Sequence, residues 1–213
     1  MRRVSRITRP HSRRRVTVAA LVILGTLPIV LAASPLRIRT VRMESDPQAA
    51  PPGIVTLEVA PPLDGDSPDT VRLEAMLHGP LPQESGGDLY ALNAIVTFPP
   101  THLEFIAGTL RKGDLFGRDG RDVLITGRVI PERDGALSIG SSRLGPVPGV
   151  SAPPGRTRLF SAAFRVRQGG SIPIGWSEAT FIDSRVRGVA AARFVGGVLN
   201  VEIEPSAPPP QGK

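Results

Sequence analysis

Residues 89–105 read LYALNAIVTFPPTHLEF, and this stretch decides the class of fold. Its first ten residues are almost all apolar or small, and Pro99 and Pro100 then end any regular element. In an extended strand successive side chains point to opposite sides, so one side carries Leu92, Ala94, Val96 and Phe98. The other side carries Ala91, Asn93, Ile95 and Thr97. A strand with two such sides is predicted to be central in a sheet or to carry a binding surface.

The rest of the chain repeats this strand pattern between clusters of Gly, Pro and Asp. No segment keeps a 3.6-residue apolar stripe for three turns. The sequence therefore predicts an all-β fold, a nine-stranded antiparallel β-sandwich with jelly-roll topology, and one hydrophobic helix at the N-terminus. The nine strands are predicted at 54–59, 70–77, 89–98, 103–110, 122–129, 136–142, 157–167, 172–177 with an extension at 180–182, and 193–203.

Alternation within the strands assigns residues to the core. In strand 70–77 the inner side is predicted to carry Val71, Leu73, Ala75 and Leu77. Periodicity also places four phenylalanines in the core, namely Phe98, Phe105, Phe160 and Phe164. The pair Gly196-Gly197 inside the last strand predicts a bulge or a close approach of another backbone.

Composition excludes several functional classes. The 213 residues include 23 Gly, 23 Pro and no Cys, so a disulfide framework, a thiolate zinc site and a thiol nucleophile are excluded. The net charge of +7 comes from seven arginines within residues 1–15, and the remainder carries 19 basic and 19 acidic residues. A balanced body does not indicate a surface that follows nucleic-acid phosphates.

The segment that follows the N-terminal arginines explains their charge more simply than nucleic-acid binding does. Residues 16–36, VTVAALVILGTLPIVLAASPL, are uncharged and long enough to cross a bilayer once. They are predicted to be a transmembrane anchor or a cleaved signal peptide, and both alternatives stay open. Residues 1–15 then form a cytoplasmic flank, which makes the chain a single-pass envelope protein or a secreted one.

The composition divides the exported part into three pieces. Residues 37–53 are polar and Pro-rich, which predicts an extended spacer. Residues 54–203 form the folded domain, and residues 204–213 are predicted to be a disordered tail.

Candidate catalytic and metal-binding residues are few. His78 and His102 are predicted to be surface turn residues, because no nucleophile or carboxylate pattern accompanies them. Asp64, Asp66 and Asp69 invite a calcium interpretation, but an Asp-rich turn before a strand explains them better. Glu104 with Asp114 or Asp119 would be a glycosidase pair only if the fold brought them together. The chain is therefore predicted not to be an enzyme and to need no cofactor.

The order of the strands resembles a known family. The segments at 69–71, 92–105 and 113–116 resemble the first half of a cohesin domain. Later strands of that family are matched by residues 135–139, 158–166, 172–183 and 194–201. The resemblance covers almost all of the folded domain, although Pro99 and Asn93 stand where the family usually carries acidic residues. It implies a sandwich related to carbohydrate-binding modules.

The resemblance also implies a surface and a partner. Cohesin domains bind dockerin modules on one sheet, and the matching positions are Ala91, Asn93, Thr97, Thr126, Arg128, Ser138, Gly140 and Ser142. The chain is thus predicted to recognise a dockerin-like protein. One alternative is a carbohydrate-binding module, in which Trp176, Tyr90 and Phe181 would stack on sugar rings. Another is a structural part of an envelope assembly.

Overall fold

The computed structural model describes residues 36–45, 51–81, 88–189 and 192–204, which contain β-strands and no helix. The strands are β1 (Arg37–Ser45), β2 (Ile54–Ala60), β3 (Thr70–Gly79), β4 (Ala91–Thr97), β5 (Leu103–Phe105), β6 (Arg111–Lys112), β7 (Val123–Val129), β8 (Ala136–Arg143), β9 (Gly155–Val166), β10 (Gly170–Ile182), β11 (Gly188–Val189), β12 (Arg193–Val195) and β13 (Gly197–Glu204). Within these ranges, no helix with the length and apolarity of a membrane span is found. The predicted N-terminal helix and flank, apart from Leu36, lie outside the described residues, as does the tail beyond Glu204.

The strands form two sheets. The larger sheet has the order β1-β13-β10-β4-β8-β7, and β11 pairs with β10 outside this path. The smaller sheet has the order β12-β2-β3-β9-β5, and β6 pairs with β9. Neighbouring strands are antiparallel except β12 and β2, which are parallel. The all-β sandwich is confirmed, whereas jelly-roll connectivity is a finer statement and stays a prediction.

The core lies between the inner sides of the two sheets. The alternating residues of β3 are buried as predicted, and so are Phe98, Phe160 and Phe164. Phe105 is only partly buried and packs against the same cluster. The Phe98 and Phe164 rings meet edge to face with centroids 5.1 Å apart, a favoured aromatic geometry. Periodicity alone therefore identified the layer that holds the sheets together.

The predicted spacer is wrong for residues 37–45, which form β1 at the edge of the larger sheet. Their backbone pairs with β13 from Arg37 opposite Glu204 to Ser45 opposite Gly197. The physical reason is a partial alternation in this segment: Ile38, Val41 and Met43 pack against the core, while arginines between them face solvent. A bulge between Ile38 and Thr40 shifts the register and lets the uneven spacing fit.

Two predicted strands are interrupted. The strand predicted at 103–110 ends at Phe105 as β5, because the chain turns at Gly108 with a φ of 79°, and β6 begins beyond the predicted range at Arg111. The prediction at 193–203 is divided at Gly196, where a Cβ atom would lie 2.5 Å from the Ile174 carbonyl oxygen. This close approach confirms the interpretation of the glycine pair.

Candidate functional site

The outer side of β10, β4, β8 and β7 is the candidate site, and we call it the open face. The pairing register places its residues in rows that run across the four strands. One row is Thr180, Asn93, Gly140 and Thr126, and the next is Glu178, Ile95, Ser138 and Arg128. A third row is Ile182, Ala91, Ser142 and Leu124. With strands about 4.8 Å apart, the face is roughly 15 Å wide and about 20 Å long.

All eight positions that the sequence predicted for partner binding lie on the open face. Ala91, Asn93 and Thr97 come from β4, where every second residue points outward. Thr126 and Arg128 come from β7, and the remaining three come from β8: Ser138, Gly140 and Ser142. Their common placement follows from the two-residue period of a strand combined with an unshifted register between β4, β8 and β7.

The face is flat because its side chains are small. Six of the twelve positions in these rows carry Gly, Ala, Ser or Thr, and Ile95 and Ile182 are half-buried. The exposed large side chains lie on the two flanking strands β10 and β7, namely Glu178, Leu124 and Arg128. Sequence reasoning did not assign Thr180, Ile182 and Leu124 to this surface. For Leu124 the signal was present, because it alternates with Thr126 and Arg128 along β7.

Most polar groups on the open face are not used within the described part of the chain, whereas Glu178 forms an ion pair with Arg133 at 3.1 Å. The side chains of Asn93, Thr126, Ser138 and Ser142 make no hydrogen bond to other described residues, and the Arg128 guanidinium forms no ion pair with them. The face therefore presents donors, acceptors and the unpaired positive charge of Arg128 to whatever approaches it, in addition to the paired charge of Glu178. Buried polar groups must find partners, so a complementary surface would have to supply them.

The outer side of the smaller sheet has the opposite character. Arg156 pairs with Glu58 there, and Arg158 pairs with Glu74 at 3.1 Å. Glu104 accepts from Arg165 at 3.4 Å and from Arg167 at 3.1 Å. A surface of mutually paired charges is typical of a solvated face, whereas interface centres are depleted in charge. The contrast makes the open face the candidate interaction surface of this sandwich.

An aspartate ties together the loops at one end of the open face. Asp88 accepts hydrogen bonds from the backbone N–H groups of Gly149, at 2.5 Å, and Ser184, at 3.0 Å. Burial is the largest single influence on the pKa of Asp88 and raises it, but the hydrogen bonds from Ser184 and Gly149 together hold it below its ordinary value. Asp88 therefore stays ionised and fixes the loops at this end.

A buried arginine anchors the loop that leads into β7. The side chain of Arg143 is fully buried, and its Nη1 donates to the Phe116 carbonyl oxygen and to Asp119 Oδ1 at 3.0 Å. Hydrogen bonding from Arg143 lowers the pKa of Asp119 below its ordinary value. The pair fixes the start of β7 at the edge of the open face. The alternation of β8, with Ser138, Gly140 and Ser142 outward, places Arg143 on the inner side, one residue beyond the end of the predicted strand.

Of the three aromatic residues proposed as sugar platforms, one is buried and two are half-buried. Phe181 is fully buried, and Trp176 is half-buried with its ring 5.3 Å from Phe194 and its Nε1 donating to the Val195 carbonyl oxygen. Tyr90 is half-buried, and its hydroxyl donates to the Gly145 carbonyl oxygen at 2.9 Å. The prediction for Phe181 as a platform is wrong, because stacking on sugars needs exposed ring faces, whereas the platform role of Trp176 and Tyr90 stays a prediction.

The catalytic and metal candidates are engaged in separate structural contacts. Asp66 accepts from the Leu63 N–H at 2.8 Å and pairs with Arg72 at 3.0 Å, as an Asp-rich turn would. Among the described residues, no group of three His, Asp or Glu side chains is placed to hold a metal. His78 lies within β3 rather than in a turn and contacts Thr56 Oγ1 at 3.0 Å, which corrects its predicted position.

The glycosidase pair considered from the sequence is likewise divided among different ion pairs. Asp119 is held by Arg143, whereas Asp114 lies 3.4 Å from Arg158. Glu104 belongs to the charged outer side of the smaller sheet. These carboxylates serve the packing of loops and strands.

Solved structures with a similar fold are cohesins. A type II cohesin domain from the cellulosome of Acetivibrio cellulolyticus has a TM-score of 0.52 and 8% identity, over 70% of this chain and 95% of its own. The second type II cohesin module of the ScaA scaffoldin from that organism has a TM-score of 0.50 and 12% identity, covering 73% and 97%. A type II cohesin dyad from the same scaffoldin has a TM-score of 0.52 and 9% identity, covering 68% and 48%.

Comparisons of sequence gave nothing further, since no protein-family model and no curated protein matched the chain. At the identities found, the structural likeness concerns the fold and leaves the chemistry of the face to this chain's own residues. The described residues of this chain form a β-sandwich with the fold of a cohesin module.

Proposed function

We propose that this chain is a non-catalytic binding module that recognises a protein partner on the open face. The observation that carries the proposal is the contrast between the two outer sides of the sandwich. One is laced with ion pairs, and the other is flat, has the Glu178–Arg133 ion pair at β10, and is mostly lined with polar groups that no described residue uses. Protein interfaces with depleted charge at their centre and matched hydrogen bonds at polar sites have this character.

The chemistry of the face defines what the partner must provide. A surface with both donors and acceptors is needed opposite the four polar side chains Asn93, Thr126, Ser138 and Ser142. An acidic or carbonyl group is needed opposite Arg128. The small side chains of these rows favour a broad surface over a small molecule. A helical module that lies flat across the strands would satisfy these requirements, and the cohesin resemblance makes a dockerin-like module our choice of partner.

The proposed location is outside the cytoplasmic membrane. It is supported by the uncharged residues 16–36 after an arginine-rich flank, which is the pattern of an anchor or an export signal. In this arrangement the sandwich is held at the outer surface of the membrane or released from it after cleavage. Both forms leave the open face accessible to a partner in the envelope.

Binding to purified dockerin modules encoded by the same genome tests the proposal. We expect one of them to bind the full chain in titration calorimetry, and we expect Asn93→Arg to weaken binding at least about tenfold, because a bulky charge is placed at the centre of the face. Met76→Arg is the matched control, since it introduces the same side chain on the outer side of β3 in the smaller sheet. Its affinity should equal that of the wild type.

Two results would contradict the proposal. If none of the modules binds the wild-type chain, the partner is not a dockerin. If a module binds and Met76→Arg weakens it while Asn93→Arg does not, recognition uses the charged sheet.

A further inference from the structure

The outer edges of the two sheets differ in how well they are protected against pairing with another strand. At one edge of the larger sheet, β1 carries three arginines and a bulge. The edges of the smaller sheet are the three-residue strands β12 and β5 and the two-residue strand β6. Short strands, charges and bulges are the usual devices that prevent association through edges.

Strand β7 lacks these devices. It has seven residues, VLITGRV, with no proline and one charge, and its register with β8 has no shift. Of the strands described here, only β8 pairs with it in the sheet. Its exposed side chains include Leu124, which is 50% exposed, and Val129, which is 45% exposed.

The hydrogen-bonding pattern shows which backbone groups of β7 are free. Leu144 donates to the Asp122 carbonyl oxygen, and Ile130 donates to the Ala136 carbonyl oxygen. In an antiparallel ladder every second residue bonds to the same neighbour, so the even-numbered residues of β7 bond to β8. The N–H and C=O groups of Val123, Ile125, Gly127 and Val129 therefore point away from the sheet and bond to no described strand.

We propose that β7 is a dimerisation edge that pairs antiparallel with β7 of a second copy of this chain. The argument for a second copy is the charge pattern along the strand. Asp122 precedes β7 and Arg128 lies near its end, both are exposed on the open-face side, and neither forms an ion pair with a described residue. In an antiparallel pair centred on Ile125, each Asp122 lies opposite the Arg128 of the other copy.

This register also satisfies the free backbone. Val123 faces Gly127 of the other copy and Ile125 faces its own counterpart, which gives about six hydrogen bonds between the copies. Leu124 lies opposite Thr126, and no like charges oppose each other. The two open faces become one continuous surface. Because a single edge buries little area, the association is expected to be weak, with a dissociation constant of about 10 µM to 1 mM.

Cysteine cross-linking tests the pairing, since the chain has no native Cys. Leu124→Cys and Thr126→Cys full chains, carrying tags of different size, are mixed in mild detergent and oxidised with copper phenanthroline. Opposed residues in such a pair have Cα atoms about 4.5 Å apart, which suits a disulfide. The mixed dimer should form at least about tenfold faster than the dimer of the control Thr40→Cys on β1.

Charge exchange tests the register by a second measurement. Asp122→Arg alone or Arg128→Asp alone places like charges opposite each other twice, so sedimentation should show at least about tenfold weaker association than the wild type. The double variant Asp122→Arg/Arg128→Asp restores opposite charges and should recover the wild-type association. Folding of each variant is checked by its far-ultraviolet circular dichroism spectrum.

Each other outcome overturns the proposal. Cross-linking of the mixture no faster than that of Thr40→Cys excludes pairing through β7. Association that survives both single charge variants places the contact elsewhere, and a double variant as weak as the single variants refutes the register centred on Ile125.

Discussion

Replacement of Trp176, the only tryptophan of the chain, should destabilise the fold strongly. Its ring lies edge to face against Phe160 and Phe194, with centroids 6.2 and 5.3 Å away, and its Nε1 donates to the Val195 carbonyl oxygen at 3.1 Å. These contacts join β10 of the larger sheet to β9 and β12 of the smaller one. The ring thus connects the two layers near the parallel pair of strands.

The magnitude follows from these contacts. Truncation of a fully buried Trp to Ala costs about 3–5 kcal/mol, and half-burial reduces this to about 2 kcal/mol. The hydrogen bond adds about 1 kcal/mol, and the two aromatic contacts add about 0.5 kcal/mol each. We therefore expect Trp176→Ala to lower the free energy of unfolding by about 3–4 kcal/mol. Trp176→Phe keeps one ring contact and should cost about 1–2 kcal/mol.

Urea unfolding followed by circular dichroism measures both variants, and Tyr90→Phe is the control. Tyr90→Phe removes only an exposed hydrogen bond to the Gly145 carbonyl oxygen, so it should lower the free energy of unfolding by less than about 0.5 kcal/mol. If Trp176→Ala lowers the free energy of unfolding by less than about 1 kcal/mol, with an unchanged urea dependence, the ring does not connect the two layers as described. Loss of glycan binding in a stably folded Trp176→Ala protein would instead support the platform hypothesis.

Two further predictions concern a turn and the response to acid. Gly135 has a φ of 68°, and a Cβ there would lie 1.8 Å from the Phe98 carbonyl oxygen, so Gly135→Ala should cost more than about 3 kcal/mol in urea unfolding. Gly145→Ala, at a φ of 84° with nothing within 4 Å, should cost only about 1 kcal/mol, and equal costs would contradict this account. Because hydrogen bonding from Arg143 puts the folded pKa of Asp119 below its ordinary value of 3.8, the stability it adds is present above that value and is lost as the pH falls through the folded pKa. Melting temperatures between about pH 6 and pH 2 should therefore fall less steeply for Asp119→Asn, and parallel curves would contradict this role.

The sequence predicted the parts of the fold that follow from alternation. Strands such as 70–77 and 136–142 appear nearly where their apolar period placed them, because a half-buried strand must present one apolar side. The same period brings Asn93, Thr126 and Ser138 to one face, since each strand adds outward residues to a common surface. The resemblance implied which face would bind a partner, and the charge contrast between the sheets supports that proposal.

The remaining features depend on contacts between distant residues. Arg143 is buried because Asp119 and the Phe116 carbonyl oxygen lie beside it, and both precede it by more than twenty residues. Strand β1 depends on an edge that β13 offers from the other end of the domain. Alternation already places Trp176 inward with Ile172 and Ile174, but the register shift that follows it in β10 is not visible in the sequence. No local pattern in the sequence contains these partners.

The pairing of β1 with β13 has a topological consequence. Arg37 and Glu204 lie opposite each other, so the first residue of β1 and the last residue of β13 are at one corner of the sandwich, with Cα atoms about 5 Å apart. A short Gly-Ser bridge could join these positions, and new ends could be opened in an exposed turn such as the one at Gly145 to give a circular permutant. The same geometry would let a host protein carry the sandwich as an insert within one of its surface loops, with little disturbance to either partner.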